Sequence, residues 1–175
     1  KINPGRMLAL IKPNKENIET ILNKDSGISI ANINSINQII LSGSFDSINE
    51  IVPFCKEKKI RAIPLPVSGA FHSILMKPAS DSLLKSLNQL NLSDSMIPIY
   101  QNINALPENR KEALRENLMH QITEPVQWKN TINNMIKDGA SYFIEIGPKK
   151  ILTNLIKKSH KDINCDSFED FMKNE

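Results

Sequence analysis

A histidine set among apolar residues at the end of an extended run is the group in this sequence best suited to moving a proton. Residues 64–78 read P-L-P-V-S-G-A-F-H-S-I-L-M-K-P: an apolar strand end, then Ser68-Gly69, then His72 between Phe71 and Ser73 at the mouth of a helix. Imidazole in such surroundings can stay neutral near pH 7 and accept a proton. A histidine held by purely structural hydrogen bonds has the same local sequence, so the residues alone leave both roles open. Ser68 and Ser73 flank His72, but neither has the G-x-S-x-G context that forces a strained, exposed hydroxyl, and that pattern occurs nowhere in the chain. The legible chemistry is that of a base without its nucleophile, half of an active site.

The elements that must position this histidine come in a readable order. Met7 to Ile11 is an apolar strand stopped by Lys12-Pro13, and Asn14 caps a helix with Ile18, Ile21 and Leu22 inward. Ile28 to Asn34 alternates as a half-buried strand, and Ser35-Ile36-Asn37 turns the chain into a second strand, Gln38 to Ser44. A helix with Phe45, Ile48, Ile51, Val52 and Cys55 on one side leads to a strand over Arg61 to Leu65. Strand, helix, strand, strand, helix, strand is the pattern of a ferredoxin-like subdomain. After His72 the spacing of Leu75, Ala79, Leu83, Leu84, Leu87 and Leu90 is helical, with Pro78 near the start.

Further on, Met96 to Tyr100 is a short strand, Pro107 opens a helix with Leu114, Leu118 and Ile122, and Pro125 breaks it. A helix bearing Trp128, Ile132, Met135 and Ile136 stops at Asp138-Gly139. Ser141 to Ile146 is a strand, and a helix with Ile151, Leu152, Leu155 and Ile156 inward follows. From Lys161 the chain reads as a polar, frayed tail. Two strands cannot make a stable sheet under packed helices, so the remaining strands of this second layer are expected from sequence outside the chain. The start at Lys1 suits an internal fragment or a processed product.

Composition narrows the function classes. The 175 residues are 40% hydrophobic and 23% charged, as in a soluble globular protein. A net charge of +3 with scattered lysines argues against nucleic acid, and no apolar run approaches a membrane span. Cys55 and Cys165 read as free thiols, and no His/Cys set has metal spacing. His120 and His160 receive no role.

Three motifs in order, the Pro64–Pro78 stretch, E-P-V-Q-W and F-I-E-I-G-P-K-K-I-L-T-N-L, resemble the malonyl-CoA:acyl carrier protein transacylase family, and the N-I-N-S and Q-I-I-L-S-G strands resemble its small subdomain. The resemblance runs from about Pro4 to Lys158. It implies an α/β fold with an inserted α+β subdomain: a ferredoxin-like small subdomain over 5–66, the C-terminal part of an α/β-hydrolase-like acyltransferase core over 67–160, and a polar tail over 161–175. It also implies ping-pong transfer by a Ser–His dyad. His72 matches the base and Gln121 the residue whose main-chain carbonyl orients it. The serine elbow and the arginine for the malonyl carboxylate lie upstream in the family and have no counterpart here.

By the same resemblance Phe71 walls the acyl pocket, where A-F-H goes with malonyl and a smaller residue with methylmalonyl. Asn32, Asn34 and Gln38 line the cleft, and Arg61, with Lys58 and Lys59, belongs to a basic patch facing pantetheine and the acidic carrier protein. Core packing, edge asparagines and a solvated charge run are the alternatives at these positions. Lys149 stands where the family usually has Gly, which puts the local turn in question. No cofactor is implied beyond the substrates malonyl-CoA and phosphopantetheinylated acyl carrier protein; the partners are those two, with no nucleic acid or membrane, and a monomer when complete. The cytoplasm is expected for a bacterial protein, with a plastid or mitochondrion as the other compartment. The rival reading is a catalytically inactive ferredoxin-like binding or scaffold module, although its strands lack the aromatic platform that RNA stacking needs.

Overall fold

The apolar run Met7–Leu10 is buried on both sides, so its strand must sit inside a sheet, with neighbours on each edge. In this computed structural model, which describes residues 5–173, four strands are joined by two helices. They are β1 (Gly5–Ile11), β2 (Ile28–Ser35), β3 (Gln38–Ser44) and β4 (Arg61–Pro64), with α1 (Lys15–Lys24) after β1 and α2 (Phe45–Glu57) after β3. The pairings are antiparallel in the order β2-β3-β1-β4, as a ferredoxin-like arrangement requires. Asn14 caps α1 as its sequence demands: its side chain accepts from Asn17 N at 2.7 Å, and Asn17 returns the bond to Asn14 N at 3.3 Å.

The sheet has two unlike faces. Leu8, Leu10, Ile28, Ile39 and Leu41 pack with Ile21, Ile48, Ile51, Cys55 and Ile60, the buried stripes of the two helices and the chain leading to β4. Met7, Ala9 and Ile40 form a smaller cluster on the other face, with Ala31, Leu65 and Val67. The register puts Asn32 opposite Ile40, and Gln38 and Arg61 on either side of Ile11. Directly paired residues share a face, so all three lie away from the helices.

Contacts divide the chain into two compact units, 1–131 and 132–175. In the first, a 3₁₀ turn over Ile74–Met76 leads into α3 (Lys77–Leu87), which ends short of Leu90. β5 (Ile99–Tyr100) pairs antiparallel with β6 (Pro107–Glu108). Pro107 therefore opens a strand and not a helix; α4 (Lys111–His120) starts four residues later and ends before Ile122. The reason is local: Glu108 Oε1 accepts from Asn109 N and Arg110 N, both at 2.9 Å, folding 108–110 into a turn. Arg110, bonding back through its guanidinium, holds the Glu108 carboxyl down at about 2. α5 (Trp128–Lys137) carries the chain across the division.

In the second unit β7 (Tyr142–Glu145) pairs in parallel with β8 (Asn164–Ser167), with α6 (Ile151–Ser159) between them in sequence and α7 (Phe168–Phe171) after. The polar tail expected from Lys161 is thus corrected as far as 173; positions 174–175 lie outside the described residues. Its buried side chains are Cys165 and Ser167, alternating with Asn164 and Asp166, and a small polar residue facing inward leaves no hydropathy signal. Likewise the strands at 99–100 and 142–145 each find one partner inside the chain. Glu145 ties β7 to α6, accepting from Leu152 N at 3.1 Å, Thr153 N at 2.8 Å and Thr153 Oγ1 at 2.7 Å. Lys149 keeps out of the left-handed region, so its side chain does not strain the turn. Among the described residues no helix is long and apolar enough to cross a membrane.

Candidate active site

β4 ends at Pro64, and the main chain stays bound to the sheet for one more residue, Leu65 N donating to Met7 O at 3.0 Å. It then turns through Ser68-Gly69-Ala70 beside the start of β1. A Cβ on Gly5 would lie 2.5 Å from both the Cβ and the N of Ala70, so only glycine admits this approach. The loop thereby delivers Phe71 and His72 at one end of the sheet. His72 itself has φ +58°, a left-handed backbone that costs a residue with a Cβ roughly 1–2 kcal/mol. At His72 surrounding bonds offset that cost.

Those bonds come from the turn after α4. His72 N donates to Ile122 O at 3.1 Å. The imidazole Nδ1 lies 2.8 Å from Gln121 O and 3.2 Å from Glu124 O. Carbonyls only accept, so Nδ1 carries the hydrogen and Nε2 keeps its lone pair for an incoming proton. Gln121 also borders a cavity of about 660 Å³ lined by Leu92, Ile99, Tyr100, Leu114 and Leu118 among others. Of the neighbouring serines, Ser73 is buried with its hydroxyl donating to Ala70 O at 2.6 Å, and Ser68 is exposed on the loop, three residues before Phe71.

The other expected residues fall into two groups. Phe71 stands beside His72, 43% exposed, with its ring over Gly69, where a Cβ would sit 3.1 Å from ring carbons. Asn32 lies in the bulged part of β2, and Val126 bridges to it in parallel, which ties it to the turn holding His72. Asn34 donates to Gln38 Oε1 at 3.3 Å on the same sheet face. Arg61 is not brought to His72. It is exposed opposite Ile11, six residues along β1 from the Gly5–Ala70 approach, roughly 20 Å at about 3.3 Å per residue. Glu124 and Val126 belong to the E-P-V-Q-W motif, but their contacts here are made by backbone atoms, which residue type does not signal. Elsewhere, His160 bonds Asn133 Oδ1 and Ser159 Oγ, and His120 is exposed.

Known proteins resemble this chain in sequence and in fold. The family model described as the acyl transferase domain matches residues 1–172. A malonyl CoA-acyl carrier protein transacylase of Staphylococcus aureus is 37% identical over 172 residues, covering 94% of this chain and 55% of that protein. The crystal structure of an acyl-carrier-protein S-malonyltransferase from Bartonella henselae superposes with a TM-score of 0.90 at 31% identity, over 99% of this chain and 58% of that one. A malonyl-transacylase solved in complex with its type II PKS acyl-carrier protein gives a TM-score of 0.85 at 29% identity, over 95% and 55% of the two chains. The chain spans about half the length of the curated relatives it matches.

Proposed function

The chain belongs to the acyl transferase domain family, and from that premise we propose that it is the part of a malonyl-CoA:acyl carrier protein transacylase that supplies the base. The observation that carries this reading is the His72 ring, held by Nδ1 on Gln121 O at 2.8 Å with Nε2 left to accept a proton. In the complete protein, a serine from outside this sequence attacks the malonyl thioester while His72 takes its proton. The resulting tetrahedral intermediate expels the CoA thiolate, to which His72 returns the proton. The phosphopantetheine thiol of the carrier protein then attacks the acyl-enzyme with the same histidine as base, and the second tetrahedral intermediate expels the serine oxygen, which takes the proton back from His72. A carbonyl partner suits this task, since it orients the ring without the full charge stabilisation a carboxylate would give to imidazolium. Two protons must come off again within each cycle.

Phe71 beside His72 is the wall that crowds an α-methyl group, and Asn32, Asn34 and Gln38 on the open face are the cleft-lining polar groups. Support for Arg61 is confined to its exposure, which fits contact with the carrier protein or pantetheine and not with the reacting atoms. No cofactor takes part. The complete enzyme is read as a monomer of the cytoplasm in a bacterium.

Kinetics of the complete protein test the reading. His72→Ala is expected to lower the transfer rate by about 10²–10⁴, and Gln121→Ala to be much milder, because its acceptor is backbone. Equal damage from the two would remove Gln121 O as the orienting group, and a fully active His72→Ala would remove the dyad. Phe71→Ser is expected to raise methylmalonyl use relative to malonyl in a competition assay, within the roughly 10–200-fold that one methyl can contribute. The 175-residue chain by itself is expected to show no turnover.

A further inference from the structure

We infer that the turn from Gln121 to Val126 is a positioning strap: pinning Val126 to the bulged edge of β2 is what holds two carbonyls on the His72 imidazole and fixes its tautomer. The inference goes beyond the transfer reaction and rests on it only for the name of base.

The strap is fastened at both ends. At its start, His120 O accepts from Thr123 N at 2.9 Å, Glu124 N at 3.0 Å and Thr123 Oγ1 at 3.1 Å, folding the chain tightly after α4. At its end, Val126 N donates to Ala31 O at 2.7 Å, Ile33 N donates to Val126 O at 2.9 Å, and Gln127 N donates to Asn102 O at 2.8 Å. Ala31 is the extra residue where the β2–β3 register shifts between Ile30 and Asn32. β2 is the edge strand of the sheet, so its outward backbone groups are not used by the ladder, and Ala31 O and Ile33 N are the ones that receive Val126. Between this pin and the Glu124 carbonyl stands only Pro125, whose ring keeps Glu124 out of the helical region. The link from sheet edge to imidazole is therefore two residues long and stiff. Gln121 O, Ile122 O and Glu124 O all reach His72 from this one segment. Releasing Val126 frees Glu124 first and leaves the ring on Gln121 O alone.

Nitrogen NMR of histidine-labelled chain reads the tautomer directly. In the unaltered chain neutral His72 is expected as the single Nδ1–H form. Val126→Pro, which deletes the N–H donated to Ala31, is expected to turn it into an exchanging mixture of tautomers. Val126→Ala, which keeps both backbone bonds, is expected to preserve the single form. Should Val126→Pro lose its dispersed amide spectrum, Pro125→Gly loosens the link with every donor kept, and a mixture is again expected. A single Nδ1–H form in a folded Val126→Pro chain, or in Pro125→Gly where that variant carries the test, overturns the strap, as does a mixture in the unaltered chain. A merely structural role for Val126 would lower stability and leave the tautomer alone. Since the readout is the ring and not turnover, a complete protein that transfers no malonyl would remove the transferase reading without touching the strap.

Discussion

The four-stranded sheet of residues 5–64 and the β7–β8 pair differ in how they bury what they carry. In the first, ten buried side chains pack into one cluster between the strands and α1 and α2. In the second, Tyr142, Ile144 and Ile146 are exposed, with Ile146 84% accessible, and the strands have one partner each. Four strands with a helix layer carry their own core, whereas a two-stranded pair is marginal in water. A region can hence be regular in backbone while several of its apolar side chains stay exposed among the described residues.

The largest effect expected from this contrast is in core truncation. Leu41→Ala in the full chain, at a position with no exposure, is expected to cost about 2–5 kcal/mol. Ile144→Ala, already 37% exposed, is expected to cost under about 1 kcal/mol. Denaturant unfolding followed by hydrogen exchange resolves both. Equal costs would mean that β7 buries as much as β3 and would erase the contrast.

A middle-sized effect concerns what holds the β7 region together. Burial alone would raise the Glu145 carboxyl, but bonds from Thr153, Leu152 and Ile151 outweigh it and hold the group below its ordinary 4.5. A carboxylate more acidic in the folded state adds stability that is complete above the ordinary value and is lost as pH falls through the folded one. Local exchange at Leu152 and Thr153 is therefore expected to rise below about pH 4.5, with little change in the β1–β3 amides. Glu145→Gln is expected to lose about 1 kcal/mol of local stability at neutral pH, as the loss of a helix cap does. Unchanged exchange at Thr153 in that variant would show that the carboxylate does not tie the two elements.

The smallest effects have opposite sign in the two regions. Lys59 has φ +55° and Gly139 φ +103°. Lys59→Gly relieves a left-handed Cβ worth roughly 1–2 kcal/mol, partly offset by the freedom glycine adds to the unfolded chain, so a gain of a few tenths to about 1 kcal/mol is expected. Gly139→Ala is expected to cost about 1 kcal/mol for backbone conformation alone, since nothing lies within 4 Å of the added Cβ. Thermal melts of the two variants give the signs.

The same contrast explains what could be read from residues alone. Asn14, the Ile28–Asn34 alternation and the helical spacing from Phe45 to Cys55 announce the first sheet, because each inward position is apolar. β8 stayed hidden because its inward positions are Cys165 and Ser167, and β6 because it is two residues long and begins with proline. His72 and Gln121 were legible through the motifs around them. The left-handed backbone at His72, the second acceptor at Glu124 and the Val126 bridge were not, since φ and carbonyl direction follow from tertiary contacts and not from side-chain type.

The close approach of Gly5 to Ala70 reaches further than its size suggests. Sixty-five positions apart in the sequence, the two are in contact through backbone and a single methyl group. A substitution at 5 therefore acts as a wedge under the loop that presents His72. In a mutational scan position 5 is expected to tolerate as little as position 72, while a chemist inspecting only the reacting groups would pass over it. The placement of His72 thus depends on a glycine at the far end of a strand, which has no polar side chain of its own.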